Sequence, residues 1–278
     1  MSKQLRLVLL NDNQGKPGFV TEHGFALWIE MDHQRILFDS GNDGSVLVAN
    51  AAAAGVDLSS VDSLVLSHGH YDHTGGIPQV LDFAPQFSLY CHPSIQQKRY
   101  SIRDSLAKDV SFPQASSLAL ERLPNENMHW VTEPQQLSEN ILLSGSIPRR
   151  TDFEDTGGPF YLDKNAIDAD LIVDELVLLC KVTGGIVVCT GCSHSGIINI
   201  LHWVQERFPD QTIKAVIGGF HLCNASKERM QKTIAALQNM QIEQLIPCHC
   251  TGEAAMDTLI QELPGKVCRG AAGRTWEF

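Results

Sequence analysis

Short apolar runs, each bounded by polar or turn-forming residues, recur along the first third of the chain and predict strands. These runs cover 5–11, 25–31, 35–38, 63–67 and 87–91. Two segments between them predict helices: one spans 44–55 and stops at Gly55, and the other follows Gly75-Gly76 and reaches about 83. The pattern indicates a sheet with helices between some of its strands.

The second half of the chain repeats this organisation. Strands are predicted at 141–143, 176–182, 186–189, 213–217 and 242–246, and helices at 196–207, 226–240 and 251–263. Two such halves predict an α/β fold in which two sheets pack face to face with helices outside, a four-layer α/β/β/α sandwich. No composition break marks a linker, so we expect a single domain over 1–278.

Between about 93 and 139 the pattern is less regular, with scattered proline, serine and asparagine. Long connections without clear patterning are often functional or mobile in compact domains. We therefore predict an inserted cap or lid near the site, with a plain surface excursion as the alternative.

Composition narrows the class of partner. The net charge of -11 argues against a nucleic-acid backbone as the main partner, so a small molecule is the expected ligand.

No apolar run is long enough for a membrane span, and the N-terminal run is too short for a signal peptide, which predicts a cytoplasmic protein. The eight cysteines are then expected to be reduced, and a homodimer is compatible with the sequence. The Cys189-Thr190-Gly191-Cys192 spacing is that of a redox pair, but it closes a predicted strand, which disfavours that function.

A dense histidine motif, His68-Gly69-His70-Tyr71-Asp72-His73, follows the strand predicted at 63–67. Alternate residues of an extended backbone point the same way, so His68 and His70 can share one ion while Asp72 and His73 turn toward another. Imidazole and carboxylate ligands together suit zinc, iron or manganese. A surface loop of hydrogen-bonded histidines is the alternative, but it leaves four metal-capable side chains within six residues unexplained.

Further ligands must come from distant parts of the chain. Two later segments, at 192–196 and 248–252, have the same order: a short apolar strand, a histidine, and then a glycine before a helix. Because active sites of layered α/β proteins gather at the carboxyl ends of strands, we expect His194 and His249 to converge on the first motif. The alternative for each is an ordinary capping or core histidine.

Three neighbouring features leave alternatives open. His221, at another predicted strand end, could ligate a metal, act as a general acid or contact substrate oxygen. We favour a role that faces the substrate or supports a metal ligand from behind, with a purely structural histidine as the alternative. Cys192, Cys248 and Cys250 flank the histidines and could supply thiolate ligands. Asp174 could orient a ligand from behind, or form a solvated acidic pair with Glu175.

Taken together, these motifs resemble the metallo-β-lactamase superfamily of metal-dependent hydrolases. The resemblance runs over nearly the whole chain and is carried by Glu22-His23-Gly24, Phe38-Asp39-Ser40-Gly41, the histidine motif with its flanks at 66–76, Ser144-Gly145-Ser146-Ile147-Pro148-Arg149, and the segments 190–196, 218–222 and 249–252. More narrowly, they are similar to the subgroup related to the 7,8-dihydropterin-6-methyl-4-(β-D-ribofuranosyl)aminobenzene-5′-phosphate synthase of methanogens. The resemblance implies the four-layer sandwich and a dinuclear metal site. This chain departs from the wider superfamily at two points: the usual bridging acidic position is replaced near Cys192, and the usual third histidine motif is not separately visible.

On these grounds we expect a metal-dependent hydrolase or transferase that holds two divalent ions, zinc in the first instance with iron or manganese as options. The expected ligands are His68, His70 and His194 at one ion and Asp72, His73 and His249 at the other. Cys192 is the alternative to His194 as the remaining ligand. Asp72 and His221 are the expected catalytic residues.

The expected substrate is a small anion, a phosphate-bearing pterin or nucleotide-like molecule. Arg149, in a turn stiffened by Pro148 and followed by Arg150, is the expected phosphate ligand, with His221 as a second substrate contact. A surface arginine paired with Asp152 or Glu154 is the alternative. Two rival functions stay open: an iron-bound redox or sensor protein, and a ligand-binding module without turnover.

Overall fold

The computed structural model describes residues 4–278, and its elements alternate along the chain as predicted. In chain order the strands of this part are β1 (Arg6–Asn11), β2 (Ala26–Met31), β3 (Gln34–Phe38), β4 (Ser63–Val65), β5 (Ser88–Cys91), β6 (Tyr100–Arg103), β7 (Leu106–Asp109), β8 (Met128–Trp130), β9 (Gln135–Gln136), β10 (Ile141–Leu143), β11 (Phe160–Tyr161), β12 (Leu178–Val182), β13 (Gly185–Cys189), β14 (Ile213–Gly219), β15 (Ile242–Cys248) and β16 (Thr275–Glu277). The helices are α1 (Gly44–Ala53), α2 (Tyr71–Thr74), α3 (Ile77–Phe83), α4 (Gln114–Leu120), α5 (Ile197–Arg207), α6 (Lys227–Asn239) and α7 (Glu253–Glu262).

Two large sheets form the middle of the molecule. The first has the strand order β16-β1-β2-β3-β4-β5-β8, and the second has the order β15-β14-β13-β12-β10-β9. Strands β3, β4, β5 and β8 are parallel to one another, as are β13, β14 and β15, so their carboxyl ends meet at shared edges. The C-terminal strand β16, which the sequence pattern did not predict, pairs with β1 at the edge of the first sheet.

Alternation along the central strands explains why the sheets stack. In β2, Trp28 packs toward the helices while Leu27 faces the other sheet, and in β13 Val188 and Val187 divide in the same way. Three buried apolar clusters result: one between α1, α3 and α4 and the first sheet, one between the sheets, and one between the second sheet and α5 to α7. Three interfaces between four layers confirm the predicted α/β/β/α sandwich.

The stretch predicted as a cap has a mixed structure. Strands β6 and β7 form a hairpin that joins β11 in a small third sheet. The rest of the stretch is part of the sandwich: α4 packs on α3, β8 is an edge strand of the first sheet and β9 an edge strand of the second. Any lid function in this stretch is therefore restricted to the hairpin.

Candidate metal centre

The predicted ligands converge at the strand ends. His68 and His70 follow β4, Asp72 and His73 lie in the short helix α2, His194 follows β13, and His249 follows β15. All six side chains are buried, and the most exposed of them, Asp72 and His249, have relative exposures of 6%. Burial of six titratable groups side by side is costly unless they are paired or hold a cation.

The first group of donors consists of His68, His70 and His194. His68 Nε2 lies 3.0 Å from His70 Nδ1 and 3.2 Å from His194 Nε2. Burial, together with neighbouring imidazoles such as that of His73, lowers the pKa of His68 well below its ordinary value, and burial does the same for His70 and His194. Neutral imidazoles with converging nitrogens are what a divalent ion requires of its ligands.

The second group consists of Asp72, His73 and His249, with Cys192 beside it. Asp72 Oδ2 lies 3.3 Å from His249 Nε2 and 4.0 Å from His73 Nε2. Burial opposes the charged form of His73, but Asp39 and Asp72 outweigh it and raise the pKa of His73 to about 9. A proton on this imidazole balances the negative charge of the two buried carboxylates. A bound metal cation would balance that charge without the proton.

An unsatisfied atom indicates that the residues present fit a metal. Buried His249 Nε2 has no hydrogen-bond partner among residues 4–278, and its approach to Asp72 lacks hydrogen-bond geometry. A ring nitrogen of His249 lies within 4.8 Å of the donor atoms of both His73 and Cys192, and Cys192 is within the same distance of the donors of His68 and His194. Two adjacent sets of nitrogen, oxygen and sulfur donors suit zinc or another borderline transition metal.

Hydrogen bonds at the remote ring nitrogens fix the orientation of the imidazoles. His68 Nδ1 contacts Ser67 Oγ at 2.9 Å, His73 Nδ1 contacts Asp39 Oδ2 at 2.7 Å, and His194 Nδ1 contacts the carbonyl oxygen of Thr156 at 2.7 Å. His249 Nδ1 lies 2.9 Å from Asn13 Oδ1. Such outer contacts are typical of metal-ligating histidines, because they set the tautomer and the aim of the ring.

Asp39 is a central support for the histidine motif. Its carboxylate accepts hydrogen bonds from the Ser67 backbone N–H at 2.7 Å and the Ser67 hydroxyl at 2.6 Å, in addition to its contact with His73. Asp39 is completely buried and has a positive φ of 62°. Ser193, His221 and His249 also have positive φ, of 58°, 45° and 48°. Left-handed backbone at non-glycine residues is costly, and four such residues at one set of strand ends indicate a functional site.

Asp174 and Glu175 are buried supports, so the solvated acidic pair that the sequence left open is excluded. Asp174 accepts the Gly69 backbone N–H at 2.9 Å and pairs in bidentate fashion with buried Arg99, at 2.9 and 2.7 Å. Glu175 accepts the backbone N–H groups of His194 and of Ser195, the latter at 2.6 Å. The two carboxylates therefore hold the two ligand-bearing loops from behind.

Gly69 is required between the first two histidines for a steric reason. A Cβ atom at this position would lie 1.9 Å from the carbonyl oxygen of Ile95. Only glycine allows the loop to pack this closely, and the packing places His68 and His70 on the same side.

A cavity of about 540 Å³ opens above the histidines. His70, Asp72, Cys192, His221 and His249 are among the residues of its floor and walls. His221, predicted to face substrate, does line this cavity, and its buried Nδ1 has no hydrogen-bond partner among residues 4–278. Its ring centroid lies 4.4 Å from that of His194, so this imidazole can reach a substrate held at the donors.

Other residues of the cavity were not identified from the sequence. Exposed His23 places Nε2 3.1 Å from Asp72 Oδ2, and this contact raises the pKa of His23. The Glu22-His23-Gly24 motif was the available signal. Arg103 and Lys108, on the β6–β7 hairpin, also line the cavity, and Lys108 Nζ donates to the Tyr71 hydroxyl at 2.7 Å. This hairpin of polar residues lies far from the histidines in the sequence, so no local pattern indicated that it lines the cavity.

Arg149, the expected phosphate ligand, does not line this cavity. Its guanidinium donates to the backbone carbonyl of Leu171, and neighbouring Arg150 pairs with Glu206 at the surface. The paired arginines that drew attention in the sequence therefore face structural partners, and the cationic side chains at the cavity are those of the hairpin.

Comparison with known proteins agrees with the observed fold and with the metal-binding motifs. The family model described as "Metallo-beta-lactamase superfamily" matches residues 21–199. The chain belongs to this superfamily. Membership confirms the resemblance drawn from the motifs and places the chain in a superfamily of enzymes whose members bind divalent metals.

Among residues 4–278, we find no helix with both the length and the apolar character needed to cross a bilayer.

Relatives within the superfamily extend over nearly all of the chain. One is the 7,8-dihydropterin-6-methyl-4-(β-D-ribofuranosyl)-aminobenzene-5′-phosphate synthase of Methanocaldococcus jannaschii, 29% identical over 94% of this chain and 91% of the relative. The solved structure of Tm1679, described as a metal-dependent hydrolase of the β-lactamase superfamily, is 32% identical and covers 99% of both chains with a TM-score of 0.83. Zinc-bound PqqB from Methylobacterium extorquens, at 12% identity and a TM-score of 0.56, shares the fold.

Proposed function

We propose that this protein is a metal-dependent hydrolase or transferase with a dinuclear centre that acts on a small, phosphate-bearing substrate. The observation that carries the proposal is the convergence of two donor groups, His68 with His70 and His194, and Asp72 with His73 and His249, beneath one cavity that His70, Asp72 and His249 line. Divalent ions in such a centre supply an activated water and stabilise negative charge that develops on the substrate.

The chain's own residues divide into three roles. Asp72, held between His73 and His249, contributes an anionic donor and fixes the spacing of the second group. His221 lines the cavity with an imidazole whose Nδ1 has no hydrogen-bond partner among residues 4–278, and we assign to it proton transfer to, or a hydrogen bond with, a substrate oxygen. Phe160 lies over the centre, with its ring centroid 5.0 Å from that of His70, and offers an apolar face to a planar ring.

Anion recognition is assigned to the hairpin. Arg103 and Lys108 give the cavity wall two cationic groups, in a protein with a net charge of -11. Guanidinium and ammonium groups at a cavity mouth suit phosphate, and a volume of about 540 Å³ is in the range of sites for molecules of nucleotide or pterin size. The name of the methanogen relative, a synthase of a pterin-containing phosphate, supports the same substrate class.

The test combines metal analysis with turnover on one preparation purified without chelator. We expect two divalent ions per chain, zinc among them, and turnover of a phosphodiester or phosphomonoester in a panel that also contains carboxylic esters, lactones and a dihydropterin diphosphate. Product analysis with and without an aromatic amine acceptor separates transfer from hydrolysis. Bound iron with oxygen-dependent redox chemistry and no turnover in the panel would favour the redox or sensor function instead. Tight pterin or nucleotide binding without turnover would favour the binding module.

A further inference from the structure

Cys192 occupies a shared position between the two donor groups. Its side chain is buried, with a relative exposure of 2%, and lines the floor of the cavity. Cys192 Sγ lies 3.1 Å from His73 Nε2, and within 4.8 Å of the donor atoms of both His68 and His194 on one side and of His249 on the other. Asp72 groups with His23 and His249, so the sulfur is the anionic donor that reaches both sides.

We propose that the Cys192 thiolate bridges the two ions, in place of a bridging carboxylate. The inference rests on the dinuclear centre of the proposed function and adds a ligand to it. A thiolate has several lone pairs and strong affinity for zinc and other borderline metals, so one sulfur can bind two ions. On metal binding the thiol releases its proton to solvent, and the S–H bond is replaced by bonds to the ions.

The loop around Cys192 holds the sulfur in this position. Ser193, with its left-handed backbone, donates its hydroxyl to the Gly219 carbonyl at 2.7 Å, and the Gly219 N–H donates to the Gly191 carbonyl at 2.8 Å. Gly191 packs against Ser67, where a Cβ atom would lie 2.1 Å from Ser67 Oγ. The cysteine loop is therefore anchored both to β14 and to the residue preceding His68, and the sulfur has little freedom to move away.

Cys250 provides a matched control in the same cavity. It is also buried and lines the cavity, but its sulfur groups with those of Cys192 and His221 and not with the donors of His68, His73 or His249. Its Sγ donates to the Cys192 carbonyl oxygen at 3.6 Å. Of these two buried cysteines, Cys192 is the one whose sulfur groups with donors of both sets among residues 4–278, so the pair tests access of the sulfur to both donor groups.

The experiment is a cobalt(II) titration of metal-free protein, followed by absorption spectroscopy and equilibrium dialysis. Wild-type protein is compared with Cys192→Ser, Cys192→Asp and Cys250→Ser, each checked for a native circular dichroism spectrum. We expect two cobalt ions and a near-ultraviolet sulfur-to-cobalt charge-transfer band in wild type and in Cys250→Ser. Cys192→Ser should lose the band, and its affinity for the second ion should fall by at least about 100-fold, since even outer contacts of a metal site are worth about 10- to 100-fold.

Cys192→Asp separates loss of the bridge from loss of the fold. It should bind two ions without the charge-transfer band, because a carboxylate restores an anionic bridge that lacks sulfur. A band that persists in Cys192→Ser, or one that disappears in Cys250→Ser instead, would overturn the assignment while leaving the dinuclear centre intact. Wild-type protein that binds two ions without any sulfur band would overturn it as well. Failure of wild type to bind cobalt at all would remove the proposed centre itself.

Discussion

The floor of the cavity and its rim, which is the β6–β7 hairpin, are built in different ways. Floor residues come from the ends of β4, β13 and β15, are buried, and hold their side chains by hydrogen bonds to other buried groups, such as Asp39 and Glu175. The rim hairpin, by contrast, has exposed residues along all of β7, and Leu106 at its turn is 75% exposed. Under the proposed function, this difference separates two tasks: the buried floor would determine the type of chemistry, and the exposed rim would determine which substrate is admitted.

The largest expected effect comes from removing a donor from the floor. His70→Ala should reduce metal-dependent turnover by at least about 1000-fold, because the first donor group loses one of its three imidazoles. The fold should remain, since three large apolar clusters rather than the metal support it. The measurement is turnover together with thermal melting, and His202→Ala, half-buried on α5 away from the cavity, is the control. A His70→Ala protein that no longer melts cooperatively would make the metal structural.

The next largest effect concerns the buried ion pair between Arg99 and Asp174, which lies behind the floor residues. Arg99→Met leaves the Asp174 carboxylate buried without its cation, which typically costs about 3 to 5 kcal/mol in the free energy of unfolding. Urea denaturation measures this cost. The exposed pair between Arg122 and Asp82 is the control, because Arg122→Met should change the unfolding free energy by less than about 1 kcal/mol. Similar small changes in both variants would show that the buried Arg99–Asp174 pair does not stabilise the fold more than an exposed pair does.

The same contrast explains what could be predicted from the sequence. Strand-end histidines were identified because four metal-capable residues lie together at 68–73, and because glycine-bounded apolar runs repeat the pattern at His194 and His249. Arg99 and Asp174 lie 75 positions apart, and nothing local marks either as buried. The layers followed from short apolar runs with helical segments between them, whereas the β6–β7 hairpin, with few buried residues, has no such run. Arg149 was chosen because arginines stand side by side, but adjacency in sequence does not determine which surface a side chain reaches.

A smaller effect should come from the rim. If Arg103 binds the phosphate, Arg103→Ala should lower kcat/KM by about 30- to 150-fold, corresponding to about 2 to 3 kcal/mol for a charge-assisted contact. Arg103→Lys should recover part of this, because lysine keeps the charge but not the planar fork. Arg149→Ala, outside the cavity, is the matched control and should leave kcat/KM unchanged. The reverse result would return the phosphate to Arg149 and assign a structural role to Arg103.

The smallest expected effect tests whether the tip of the hairpin touches the substrate. Leu106 lines the cavity and is 75% exposed, so Leu106→Ser removes almost no buried apolar surface, and the unfolding free energy should change by less than about 0.5 kcal/mol. A bound substrate would cover part of this side chain, and loss of about 1 kcal/mol of apolar contact would raise KM about fivefold. Leu118, 56% exposed on α4, is the control, because Leu118→Ser removes another largely exposed leucine, outside the cavity. A rise in KM in Leu106→Ser alone, with unchanged melting in both variants, would show that the tip of the hairpin contacts the bound substrate. Identical KM values in the two variants would restrict substrate contact to the deeper residues of the cavity.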